Sequence, residues 1–225
     1  VSTSISLQNF FELTSDSLQL HNYTGVLMPT YSYTYVAMNE KPAESNRPFY
    51  FNDVTVRRAF ALLTPVEDIL KNLYRQYGKD CRRMVSAVSP LKKEFNTELK
   101  PIQYNLTKAI QLLKEAGWAD KNKDGILEDR SGHKMEPELI YLNTNADWKD
   151  MSLLIAHSFK QAGINLQLTP ADLNTFLTRA KNHDFDMILG SWTSTMLPED
   201  YTQLWSTSAW KEHGSNFSGF GNTES

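Results

Sequence analysis

The chain has 225 residues, a net charge of −3 and 22% charged residues, which suits one large domain or two small ones with a real core. The slight acidity and the lack of a Lys/Arg cluster argue against a nucleic-acid surface. No apolar run approaches the roughly 18 residues a membrane helix needs. A single cysteine, Cys81, excludes an intrachain disulfide and a thiolate metal cluster, and reads as a structural or incidental thiol.

Residues 1 to about 40 read as extended. In YSYTYVAMN (Tyr31 to Asn39), aromatic and β-branched residues alternate with small or polar ones, which predicts a strand. Its tyrosine face is read as a half-buried sheet face, with ligand contact as the alternative. Lys41 to Pro48 is a polar loop. Asn52 or Asp53 caps a helix from about Val54, with Val56, Ala59, Phe60 and Leu63 on one face. Pro65 interrupts it, and Thr64 is the candidate cap for a second helix. Of the neighbours Arg57 and Arg58, one is expected in an ion pair and the other in solvent.

Residues 79 to 104 read as irregular. Asn105 opens a strongly amphipathic helix with Leu106, Ala109, Ile110 and Leu113 inward, stopped by Gly117. Asp120, Asn122, Asp124 and Gly125 match the first half of an EF-hand-type calcium loop. The twelfth position is Ser131 instead of a bidentate Glu, although Glu128 offers a substitute carboxylate. A polar Asx turn is the favoured reading, and no metal ligand is assigned.

Beyond this turn the pattern alternates. Strands are expected at Glu136–Asn143, Ile164–Leu168 and Phe185–Gly190. Helices are expected at Trp148–Ala162, ending at Gly163, and at Ala171–Lys181 around Leu173, Phe176, Leu177 and Ala180. Strand-helix-strand-helix-strand with short loops implies parallel pairing in an α/β layered fold.

No GxSxG elbow, HExxH, Gly-rich phosphate loop or CxxC is present, and the five histidines are scattered. The segment of most interest is DFDMILGSWTSTMLPEDYTQLW (Asp184 to Trp205). Phe185, Met187 and Leu189 alternate against Asp186, Ile188 and Gly190. Trp192 and the hydroxyls of Thr193, Ser194 and Thr195 then enter a loop, and Tyr201, Leu204 and Trp205 suggest a short helix. A strand that delivers a Trp and several hydroxyls to its carboxyl end has the layout of a binding site, while packing alone also accounts for a Trp there. These groups suit recognition better than catalysis.

Several segments together resemble a known family. FNDVTVRRAFALL is similar to the (F)-D-V-R-V-R-x-A-(F/L) segment of the family 5 extracellular solute-binding proteins, the oligopeptide- and dipeptide-binding components of ABC importers. AIQLLKEAGWADKNKDGILED resembles the same family's A-x-x-L-L-x-E-A-G-W-x-D-x-(D/N)-x-D-G segment. FDMILGSW followed by an acidic loop and LW resembles the family's strand-to-ligand-loop region, and GSNFSGFGN resembles the N-F/Y-x-G/F-x-N segment beyond it. The four pieces stand in the family's order over residues 35 to 222.

The resemblance implies a periplasmic-binding-protein-like (type II) α/β lobe with a mixed sheet flanked by helices. It implies residues 1–225 as a single lobe, the carboxyl-terminal one of two that close on a ligand by hinge motion, with both chain ends continuing into the other lobe. It also implies a non-catalytic, cofactor-free, monomeric protein of the bacterial periplasm or cell envelope, with a peptide ligand and ABC permease partners. Modified peptides, cell-wall fragments, sugars and metal chelates are the alternative ligands, and a hydrolase with a dispersed site is the alternative class.

In peptide-binding members, a Trp after this strand is followed three residues later by an Asp that pairs with the peptide amine. Trp192 matches, but the Asp position holds Thr195. A neutral hydroxyl there weakens amine recognition by roughly 1–3 kcal/mol. The expected ligand-binding residues are therefore Trp192, Thr193, Ser194, Thr195 and, as the compensating acid, Asp200, with Glu199 as the other candidate.

Overall fold

The computed structural model describes residues 7–15, 24, 26, 30–42, 48–74, 81–212 and 214–221. Four strands form one mixed sheet. They are β1 (Tyr33–Met38), β2 (Glu138–Leu142), β3 (Gln167–Ala171) and β4 (Met187–Trp192), in the spatial order β1-β4-β2-β3. The three later strands pair in parallel, as their helical crossovers require, and β1 adds an antiparallel edge beside β4.

Helices cover both faces. On one side lie α2 (Val54–Leu63), α4 (Leu106–Glu115) and α5 (Ala146–Lys160), packed on Leu139, Tyr141, Met187 and Leu189. Edge-to-face contacts from Phe51 to Phe60 and from Phe60 to Phe159, each 4.9 Å between centroids, run through this layer. On the other side α6 (Leu173–Lys181) buries Phe176 and Ala180 against Ile140, Phe185 and Ile188. The segment from Phe185 to Leu189 therefore places apolar side chains on both faces, where alternation had implied one buried face.

The helix starts follow their caps. Asp53 accepts from the Thr55 N–H, Asn105 from Lys108, Asn145 from Trp148 and Asp172 from both Asn174 and Thr175. Gly117 and Gly163 have φ of +93° and +81°, so both expected stops are left-handed positions that favour glycine. The inward face of α2 is the expected one. Arg57 pairs with Glu40 at 3.3 Å, and Arg58 is exposed.

The structure corrects several expectations. The first 40 residues are not all extended, since Leu7–Ser15 forms α1; the rest of that segment up to residue 29 lies largely outside the described residues. Thr64 does not cap the helix after Pro65, because its hydroxyl donates back to the Phe60 carbonyl. The short α3 (Val66–Ile69) has no side-chain cap and continues into a π-helical turn, Leu70–Tyr74.

The third expected strand is shifted. Ile164 and Leu166 are buried beside the sheet, but the ladder begins at Gln167 and includes Pro170, which an edge strand tolerates. As Asp172 is a cap, Ala171 belongs to the strand and α6 starts at Leu173. Ile110, Leu173 and Leu177 point outward instead of inward. The last strand runs two residues further than expected, so Trp192 is its final residue.

Candidate functional site

The site is built at the carboxyl end of β4. Register pairs Tyr33 with Trp192 and Tyr35 with Gly190, so these four residues share one face of the sheet. Lower on that face, Ala37 and Ile188 belong to the core under α6; higher up, helical cover ends and the aromatic residues begin. The rings of Tyr33 and Tyr35 lie 6.1 Å apart. Tyr35 crosses over Gly190 so closely that a Cβ there would lie 2.9 Å from its ring. The glycine lets the tyrosine lie flat on the strand and leaves the rim to Tyr33 and Trp192.

After Trp192 the chain forms a loop held from the inside by Glu199. Its Oε1 accepts the Thr195 N–H at 3.3 Å, and its Oε2 meets Lys92 Nζ at 3.2 Å as an ion pair. Lys92 is 8% exposed and also donates to the Leu197 carbonyl at 3.2 Å, so the loop folds around a buried ammonium. The hydroxyls of Ser194 and Tyr201 face the same carboxylate. Desolvation is the largest influence on Glu199 and raises its pKa. The Ser194 hydroxyl, Lys92, the Tyr201 hydroxyl and the Thr195 N–H together outweigh it and hold the carboxyl below its usual range.

The same surroundings act on the phenols. Tyr33 is pushed up to about 12, first by burial and then by Tyr35, Tyr201 and Glu199. Burial and Glu199 also raise Tyr201, and burial raises Tyr35. All three are neutral hydrogen-bonding groups at physiological pH.

The site's polar groups are incompletely satisfied. Among the described residues, six solvent-shielded side-chain polar atoms lack a well-formed hydrogen bond. Four of them lie here: the Trp192 Nε1–H, which meets no acceptor, and Ser194 Oγ, the Tyr201 hydroxyl and Glu199 Oε2, which crowd together beside Lys92. Native structures hold few such groups, and a cluster of them calls for a functional explanation. Beside them Met196 and Leu197 are 76% and 70% exposed.

Trp192 is half-buried at the rim. Ser194 is buried, while Thr193 and Thr195 are exposed. Asp200 is exposed, and its Oδ1 accepts the N–H of Thr202 at 2.9 Å as well as that residue's hydroxyl. These contacts hold the turn into α7 (Thr202–Trp205), which is followed by α8 (Thr207–Lys211). Sequence reasoning missed Lys92, which no local pattern marks and which reaches the loop across 105 residues. It treated Tyr33 as sheet face, although tyrosines at 31, 33 and 35 are a period-two signal for one aromatic face. A shallow concavity of about 300 Å³ between Pro48, Tyr50, Lys134, Glu138 and Asp186 lies at the opposite, amino end of β2 and β4.

Residues 4–213 match the model of the bacterial extracellular solute-binding proteins, family 5 Middle. The oligopeptide-binding protein AppA of Bacillus subtilis is 28% identical over 176 residues, covering 76% of this chain and 30% of that protein. The AppA structure in complex with a nonapeptide superposes with a TM-score of 0.76 at 27% identity, covering 87% of this chain and 37% of AppA. NikA from Brucella suis, solved in complex with Fe(III)-EDTA, shares the fold with a TM-score of 0.74 at 21% identity, covering 96% and 40% of the two chains. The match thus spans 25–30% of the length of three curated relatives, AppA among them. Among the described residues no helix is long and apolar enough to cross a membrane. With the match running almost end to end and the mixed α/β sheet shared with solved members, the chain belongs to the bacterial extracellular solute-binding proteins, family 5.

Proposed function

We propose that residues 1–225 form the carboxyl-terminal lobe of a two-lobed protein that captures peptides for an ABC importer, without catalysis. The observation that carries this reading is the crowded cluster of solvent-shielded polar groups at the carboxyl end of β4, in which the Trp192 Nε1–H has no acceptor. In open α/β sheets ligands bind outside the carboxyl ends of strands, and a lobe that closes on its ligand leaves such groups for the ligand to complete. Trp192 stacks on the ligand. Thr193, Ser194 and Thr195 hydrogen-bond it, with Tyr33 and Tyr201 as neutral neighbours. The protein acts as a monomer in the periplasm or anchored at the cell envelope, and its partners are the permease subunits.

Thr195 supports a second reading with a different ligand. Where peptide-binding members carry an Asp, this chain has a hydroxyl, and the nearby Glu199 is already paired with Lys92. Asp200 is the exposed acid that remains for a peptide amine. Without it the loop suits a ligand lacking a free amine, such as a modified peptide, a cell-wall fragment, a sugar or a metal chelate. Mass spectrometry of what co-purifies with the two-lobed protein decides between the readings. Free peptides support the first. A sugar or metal chelate supports the second, and a hydrolysis product accumulating from added peptide contradicts both.

A further inference from the structure

The turn between α4 and β2 holds a second concentration of oxygen ligands, remote in sequence from the Trp192 loop. Asp120, Asp124 and Glu128 each place a carboxylate oxygen within 4.8 Å of the others. That spacing suits oxygens sharing one large cation, since calcium–oxygen distances are about 2.3–2.6 Å. An acidic cluster alone is common, and Glu128 sets this one apart. It is 4% exposed, and its Oε1 is shielded from solvent without a hydrogen bond, while its Oε2 accepts the Lys121 N–H at 2.8 Å. A carboxylate oxygen removed from water and left uncompensated is costly, and a cation removes that cost.

Backbone bonds fix Glu128 in place. Its N–H and C=O exchange hydrogen bonds with Ala119 at 2.9 and 3.0 Å, and a bridge joins it to Lys134 on its other side. Those bonds set its main chain, and the Lys121 N–H on Oε2 holds its side chain. Lys134 Nζ contacts Asp124 Oδ2 at 2.5 Å, so an ammonium already meets the cluster from the outer side. The Lys134 side chain is 40% exposed and has room to swing into solvent.

We propose that Asp120, Asn122, Asp124 and Glu128 bind a calcium ion, with the Ile126 carbonyl as the backbone ligand. In loop register these are positions 1, 3, 5, 9 and 7, with Gly125 at the sharp turn. The absence of a Glu at position 12, which argued against calcium in the sequence, is offset by a carboxylate at position 9 that reaches the cluster directly. An all-oxygen set with three carboxylates suits a hard cation, and its irregular spacing favours calcium over magnesium. The ion would pin the α4–β2 connection, which the Leu127 N–H ties to the Gly163 carbonyl at the end of α5.

Calcium titration of the chain by calorimetry and by thermal unfolding tests this site. The expected result is binding of one ion in the range typical of extracellular modules, about 10⁻⁴–10⁻³ M. In about 5 mM calcium, Tm rises by roughly 2–8 °C relative to EDTA. Magnesium at the same concentration gives less than about a quarter of that rise. Glu128→Gln keeps the shape of the side chain and loses at least about tenfold in affinity together with most of the Tm rise. Lys134→Met removes the competing ammonium and tightens binding about threefold or more. If Glu128→Gln does not fold, the exposed Asp120→Asn replaces it with the same expected loss. A wild-type chain with no calcium heat and no Tm rise, or carboxamide variants that respond like wild type, would overturn the assignment.

Discussion

Two ion-paired carboxylates mark the two ends of the sheet, and they are finished differently. At the amino end, Glu138 receives a bidentate fork from Arg179, with Nη1 at 3.0 Å and Nη2 at 2.7 Å, while Arg179 Nε donates to the carbonyl and carboxylate of Asp184 at 2.9 and 3.3 Å. All three nitrogens of that guanidinium are engaged. At the carboxyl end, Glu199 meets Lys92 at 3.2 Å and is crowded by the Ser194 and Tyr201 hydroxyls, next to a Trp192 Nε1–H that has no acceptor. The first arrangement is what folding alone requires: a planar donor set matched to a planar acceptor, tying β2 to α6. The second holds more polar groups than it satisfies, at the rim where strands deliver ligand contacts. The contrast separates a pair that folding alone explains from the cluster proposed as the ligand site.

The largest expected effect breaks the structural pair. Arg179→Met removes the two charge-assisted bonds of the fork to the partly buried Glu138 and should cost about 2 kcal/mol in urea unfolding. Ligand affinity of the two-lobed protein should not change, because the pair lies at the other end of the strands. A stability loss below about 0.5 kcal/mol would mean that the fork is ornamental.

At the site, Gly190→Ala should cost about 1 kcal/mol, since the new Cβ meets the Tyr35 ring at 2.9 Å and the ring can move aside. The sharper readout is near-ultraviolet circular dichroism, which should change as Tyr35 leaves the strand. An unchanged aromatic spectrum would show that the ring does not rest on Gly190.

Lys92→Met should change stability least at neutral pH, by under about 1 kcal/mol, because three donors to Glu199 survive. Its signature lies in the acid range. Glu199 has a depressed pKa in the folded protein, so its contribution is present above the unfolded value of about 4.3 and is lost as pH falls through the folded value. Removing Lys92 raises the folded value and moves that loss to higher pH. Carboxyl-carbon NMR titration checks both, and an unmoved Glu199 titration in the variant would contradict the ion pair. The opposite end of the scale tests Tyr33. With its folded pKa near 12 against about 10 unfolded, the stability it contributes is complete below pH 10 and is lost as pH rises through 12.

Much of the fold could be read from local chemistry. Asp53 and Asn105 cap where short polar side chains precede apolar periodicity, and Gly117 and Gly163 stop helices where the backbone turns left-handed. The parallel order followed from strands alternating with helices. What failed was set by tertiary contact. Strand ends depend on partners, so β4 extends to Trp192 because Tyr33 pairs with it, and the β3 ladder starts at Gln167 because Ile164 and Leu166 are used elsewhere. The exposed Leu173 and Leu177 show that α6 buries a narrower stripe than its apolar content suggests. At the site, Trp192 and the hydroxyls that follow it were visible as chemistry. Lys92 was not, because its place depends on an irregular segment folding back across 105 residues. The acids were visible as a pair, but only the structure separates Glu199, turned inward to Lys92, from Asp200, which faces solvent and holds the turn into α7.

The same comparison explains what the chain should do alone. A site left open for a second lobe has half its contacts, so the isolated chain should bind peptides weakly or not at all. Micromolar affinity by calorimetry would show instead that the Trp192 face is complete in itself.

The central claim is that the carboxyl end of β4 is the ligand face. Its most direct test is ligand affinity of the two-lobed protein carrying Trp192→Ala, measured by calorimetry against the co-purified ligand, with Arg179→Met as the control from the opposite end of the sheet. The account expects at least a tenfold loss, about 1.4 kcal/mol, for Trp192→Ala and none for the control. Equal affinity in wild type and Trp192→Ala would contradict it.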